Sequence, residues 1–144
     1  NGTPSHVFDA RHVYNFFVCS FSPDGTLIAT ISPYDECCVW NVATGQNVGR
    51  WTASYKSGVS FSPTESIVAT WESDYISLHH PSTGECIRKI KPKESRSVSE
   101  KCVFSPTGEV IASSYMDKCY LWHVSTGHCI GILSGLEKSP TLIV

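Results

Sequence analysis

Apolar and polar positions alternate with a local period of two through most of the chain, in short runs rich in β-branched and aromatic residues. Around Cys38, Val39, Trp40 and Asn41 the alternation predicts one buried and one less buried strand face. Turn residues break the runs at short intervals. Ser22-Pro23-Asp24-Gly25 and Ser105-Pro106-Thr107-Gly108 carry the chemistry of tight hairpin turns, as do Ala43-Thr44-Gly45 and its two later counterparts. No stretch sustains the apolar spacing of an amphipathic helix, so the expected fold class is all-β with almost no helix. In the first part of the chain, strands are predicted at 16–21, 26–32, 37–42 and 47–51.

The same succession occurs three times. Phe21-Ser22-Pro23, Phe61-Ser62-Pro63 and Phe104-Ser105-Pro106 each open a unit of about 40 residues. An apolar pair with Ala and a hydroxyl residue follows in each: Leu27-Ile28-Ala29-Thr30, Ile67-Val68-Ala69-Thr70 and Val110-Ile111-Ala112-Ser113. Then come an acid (Asp35, Asp74, Asp117) and a turn (Thr44-Gly45, Thr83-Gly84, Thr126-Gly127). The second and third copies run from Phe to Gly over 23 residues without a gap, and the first carries one extra residue. After each turn glycine, apolar residues recur at the third place (Val48, Ile87, Ile130) and the sixth (Trp51, Ile90, Leu133), which predicts that they anchor a fourth strand by packing. A lone unit of this size cannot bury both faces, so each must be stabilised by its neighbours.

Composition narrows the classes. The chain has 144 residues, 41% apolar and 17% charged, which suits a folded protein, and its net charge of −2 argues against nucleic acid or an anionic membrane as the main partner. No apolar run approaches the ~18 to 20 residues of a membrane span, and the first residues do not resemble a secretory signal. The seven cysteines fall mostly in equivalent pairs, Cys19 with Cys102, Cys37 with Cys119 and Cys86 with Cys129. That distribution reads as small, mostly buried strand residues in a reducing compartment rather than a disulfide or metal framework.

Taken together, F-S-P-D-G, the L-I-A-T strand, the Asp, the Trp and the T-G turn resemble the WD-repeat family of β-propellers over roughly residues 5 to 135. The resemblance implies four-stranded antiparallel blades around a central channel. On that basis 1–15 is the outer strand of a preceding blade with a leading loop, 16–55 is blade 1, 56–97 blade 2 and 98–135 blade 3, and 136–144 is the start of a following blade or a tail. The resemblance also implies a buried network bracing each blade: His12, Thr30, Asp35 and Trp40 in the first, Thr70 and Asp74 in the second, and Ser113, Asp117 and Trp122 in the third. His79 stands where the second blade's Trp is expected. Because such propellers usually close with ~4 to 8 blades, three units imply either part of a larger propeller or a chain that completes one by homo-oligomerisation through its exposed blade edges.

His79-His80 is the local pair that could invite a metal, but adjacent strand residues point to opposite faces, so no metal site is expected. No G-x-S-x-G or other nucleophile arrangement supports catalysis, and neither an enzymatic role nor a cofactor is expected. The family resemblance implies a protein–protein interaction scaffold, in the cytoplasm or nucleus, with protein or peptide partners. Loop side chains are the candidate contacts: Tyr34, Tyr55, Lys56, Lys93, Arg96, Met116 and Lys118.

Overall fold

The computed structural model describes residues 18–32, 34–54, 58–72, 75–91, 101–115 and 118–134. They form twelve strands in three four-stranded antiparallel sheets, with no helix among the described residues. The first sheet holds β1 (Val18–Phe21), β2 (Leu27–Ser32), β3 (Glu36–Asn41) and β4 (Asn47–Thr52). The second holds β5 (Gly58–Phe61), β6 (Val68–Trp71), β7 (Ile76–His79) and β8 (Cys86–Ile90). The third holds β9 (Lys101–Phe104), β10 (Val110–Tyr115), β11 (Lys118–His123) and β12 (Cys129–Ser134). Each sheet is a meander in which every strand pairs with the next in sequence. The four strands predicted in the first unit lie within one or two residues of those observed.

The repeat extends to its irregularities. The pairing of the last two strands shifts register at Val39/Trp40, Leu78/His79 and Leu121/Trp122, the same place in each sheet. A bulge there increases the local twist next to the T-G turn. In that turn Gly45 has a φ of 69°, a region a side chain disfavours, and its N–H closes the turn on the Asn41 carbonyl at 2.8 Å.

The sheets pack face to face in chain order. Ala29, Ile31, Cys37, Val39, Trp51 and Ala53 of the first unit meet Val59, Phe61 and Val68 of the second. Ala69, Ile76, Leu78 and Ile90 of the second meet Cys102, Phe104, Ile111, Tyr120 and Trp122 of the third. The first strands of successive sheets, β1, β5 and β9, lie side by side. The second sheet thus buries one face on the first sheet and the other on the third.

Three expectations are corrected. First, β3 does not alternate: Cys37, Cys38, Val39 and Trp40 are all buried, on the face toward the second sheet and on the opposite face alike. Second, the equivalent anchors are not equally buried. Trp51 is 8% and Ile90 1% exposed at junctions between sheets, whereas Leu133 is 56% exposed, since no described sheet lies beyond the third. Ile87 and Ile130 are also exposed, near the starts of the edge strands β8 and β12. Third, the cysteines divide. Cys37, Cys38, Cys102 and Cys119 are buried, but Cys19, Cys86 and Cys129 are exposed, and all seven are free thiols.

Candidate interaction surfaces

Up-and-down pairing places the connections at two ends of each sheet. One end carries the Ser-Pro turns between the first and second strands and the T-G turns between the third and fourth. The other carries the links between the second and third strands and from one sheet to the next. Tyr34 and Lys118 lie at this second end, next to the link between the middle strands of the first and third sheets. Tyr34 is exposed and Lys118 partly so. Asp35, beside Tyr34, adopts a φ of 59°, a left-handed conformation that Asp tolerates better than most residues. Its carbonyl accepts the Ala53 N–H at 2.8 Å and so ties the link to the end of the sheet. Tyr55, Lys56, Lys93, Arg96 and Met116 lie outside the described residues. At the same end of the second sheet, Tyr75 donates to the Glu72 carboxylate at 3.0 Å, and the Lys89 ammonium sits 4.4 Å from its ring centroid.

The bracing residues are partly brought together. Trp40 Nε1 donates to Thr30 Oγ1 at 3.0 Å, and Trp122 Nε1 donates to Ser113 Oγ at 2.8 Å, both within the buried interior. In each case the indole reaches the neighbouring strand at a position two residues beyond its own partner, Ile28 or Ile111. The second sheet lacks this bond. His79 occupies the Trp position, but Nδ1 of its shorter ring meets the Gly84 carbonyl at 3.1 Å, while Thr70 is buried on the same face. His12, Asp74 and Asp117 lie outside the described residues.

His79 also contributes to the first junction. Its ring stacks on Trp51 with centroids 4.6 Å apart and planes 8° from parallel. Burial holds the His79 pKa below its ordinary value, and the nearby Lys89 charge adds to this against the opposing influence of the Gly84 carbonyl and Glu72. Trp51 Nε1 is buried without an acceptor, a cost of roughly 1–3 kcal/mol that the packing of its ring offsets. The sequence reading assigned Trp51 to packing, and its burial agrees. Its stacking partner was not foreseen, because the pair joins different repeats.

At the Ser-Pro end an open cleft separates the turns of the first and second sheets and includes Asp24, Leu27, Phe61, Glu65 and Pro81 in its lining. Repeat reasoning missed this cleft. A departure from the repeat at Glu65, which stands where the other copies have Gly25 and Gly108, was the available signal.

Among the described residues, no group of three or more His, Cys, Asp or Glu is placed to hold a metal ion. His79 and the neighbouring His80 turn to different partners, His80 Nδ1 accepting the Ser82 N–H at 3.4 Å. No described helix is long and apolar enough to cross a membrane. No protein-family model matches the chain, and no curated protein matches it in sequence.

Proposed function

We propose that the chain is a non-catalytic protein–protein interaction scaffold built from WD repeats, its three sheets being consecutive blades of a larger propeller. The observation that carries this reading is the repetition of one junction. The forward face of one sheet meets the backward face of the next, and the same positions supply the contact each time. The residues at the open lateral faces agree with it. Phe61 and Phe104 are 8% and 9% exposed, but their equivalent Phe21 is 58% exposed on the backward face of the first sheet. Leu133 is its counterpart on the forward face of the third. Further blades against these faces would bury both.

A rigid β scaffold leaves its loops free to recognise a peptide or a domain. Tyr34 and Lys118 are the described candidates for that contact. In affinity capture from a cell extract, Tyr34→Ala combined with Lys118→Glu is expected to lose specific partners that the parent chain retains. An unchanged partner set from a folded variant counts against that end as the recognition surface. Cytoplasmic or nuclear residence belongs to the same proposal.

The open lateral faces also favour a second reading, in which copies associate head to tail and close a propeller together. A discrete oligomer that dissociates on Leu133→Lys distinguishes it.

A further inference from the structure

The two junctions differ at the end that carries the Ser-Pro turns. Between the second and third sheets the turns touch. Thr64 Oγ1 donates to the Thr107 carbonyl at 3.1 Å, and a side chain at Gly108 would collide with the Thr64 hydroxyl. Glycine at this position lets the neighbours close. Between the first and second sheets the corresponding residues are Asp24 and Glu65. Asp24 turns back on its own hairpin, where it accepts bonds from Ser22 Oγ at 2.6 Å, Thr26 Oγ1 at 2.9 Å and the Thr26 N–H at 3.0 Å. With Glu65 in place of glycine and Asp24 held back, the turns stand apart around a cleft of about 280 Å³.

The cleft combines two kinds of surface. Leu27, Phe61 and Pro81 supply apolar lining, the last two of them buried, and Asp24 and Glu65 stand at its exposed margin. No Lys or Arg among the described residues lines it. The Ser22 hydroxyl first, then the Thr26 amide and hydroxyl, hold the Asp24 carboxyl below its ordinary pKa, so it is ionised at neutral pH. The volume is at the bottom of the range of small-molecule sites, about 300 Å³ and upward, and suits one side chain better than a whole metabolite. An apolar slot with carboxylates at its mouth matches an apolar stem with a cationic head. Arginine fits it better than lysine, because a planar guanidinium bonds a carboxylate in parallel and stacks on ring faces.

We propose that this cleft is a docking slot for an arginine side chain of a partner protein. The assignment rests on the scaffold reading above and adds a second contact point, at the end opposite Tyr34 and Lys118.

The test is titration of the isotope-labelled chain with acetyl-Gly-Arg-Gly-amide, followed by amide NMR shifts. Saturable shifts are expected at Gly25, Thr26, Glu65 and Ser66, with a Kd on the order of 1 mM. Acetyl-Gly-Glu-Gly-amide is expected to leave these amides in place. Glu65→Gln should weaken arginine-peptide binding roughly fivefold, and adding Asp24→Asn should weaken it beyond tenfold. Among the described residues Glu65 makes no side-chain hydrogen bond, so its variant tests the slot even if Asp24→Asn disturbs the turn. Equal shifts with both peptides, no shifts up to about 10 mM peptide, or unchanged binding by Glu65→Gln would overturn the slot. If the slot fails while partner capture still depends on Tyr34 and Lys118, the scaffold reading stands without it.

Discussion

Gly49 lies in β4 at a close approach of the first two sheets. A Cβ there would strike the carbonyl oxygen of Pro81 in the next sheet, with the carbonyl carbon immediately behind. Pro81 is fully buried, and its turn is fixed by the Gly84 N–H on the His80 carbonyl at 2.9 Å and the His80 N–H on the Glu85 carbonyl at 2.9 Å. The obstacle is therefore fixed backbone rather than a flexible side chain. Gly49→Ala must push the sheets apart, at a cost of roughly 1–3 kcal/mol for overpacking. Replacing a strand glycine returns about 0.5–1 kcal/mol of backbone entropy, which leaves a net loss of up to about 2.5 kcal/mol. Gly131 is an internal control at the same repeat position in the third sheet. Its added Cβ would meet only the Leu121 side chain, nearest at 3.5 Å, an ordinary contact. Gly131→Ala is thus expected to be neutral or to stabilise by up to about 1 kcal/mol. At the third equivalent position, Arg88 fits by extending to the Thr126 carbonyl, Nη1 to O at 3.1 Å. Urea unfolding followed by tryptophan fluorescence reads the difference, and thermal midpoints should separate by about 2–4 °C per kcal/mol. Equal effects of the two substitutions, or stabilisation by Gly49→Ala, would refute close backbone packing at this junction.

Ser113→Ala leaves the Trp122 indole N–H buried without its acceptor and is expected to cost roughly 1–3 kcal/mol; a double-mutant cycle with Trp122→Phe should show coupling, and strict additivity would argue against the 2.8 Å bond. The folded-state pKa of His79 lies below its usual 6.5, so the unfolded state takes up its proton first as the pH falls. Stability from this group is accordingly full above about pH 6.5 and lost as acid carries the pH through the depressed folded value; unfolding midpoints measured across that range should slope downward in acid, and His79→Leu should remove part of the slope. Alkylation by iodoacetamide near pH 8, followed by mass spectrometry, should label Cys19, Cys86 and Cys129 first. Burial pushes the Cys38 thiol up to about 11 and the Cys37 thiol further still, so early labelling of either in the folded chain would contradict the packing of β3.

The strands were legible because each unit repeats its turns as well as its apolar pattern: Ser22-Pro23 separates β1 from β2 and Thr44-Gly45 separates β3 from β4, which set the strand bounds to within one or two residues. What one unit does to its neighbour was less so. Phe21, Phe61 and Phe104 occupy the same place in the repeat, yet burial depends on whether another sheet stands against that face. Trp51, Ile90 and Leu133 divide for the same reason. The Trp51–His79 stack joins residues from different copies, and no period within a copy marks it. Trp40–Thr30 and Trp122–Ser113 were anticipated as partners only through the family resemblance, which supplied a geometry that alternation alone does not specify. The cleft arises where the repeat is broken, at Glu65 against Gly25 and Gly108, so reading for similarity hides it and reading for departures exposes it.

The central claim is that the three sheets are consecutive blades whose outer faces are shaped to meet further blades. Light scattering coupled to size exclusion, run on the 144-residue chain and on Leu133→Lys, tests it most directly. The account predicts that the parent chain associates beyond a monomer through its lateral faces, as polydisperse species if the blades belong to a larger propeller and as a discrete oligomer if copies close one together, and that a charge at Leu133 on one of those faces suppresses the association. A parent chain that stays a monodisperse, cooperatively folding monomer at high concentration would contradict it.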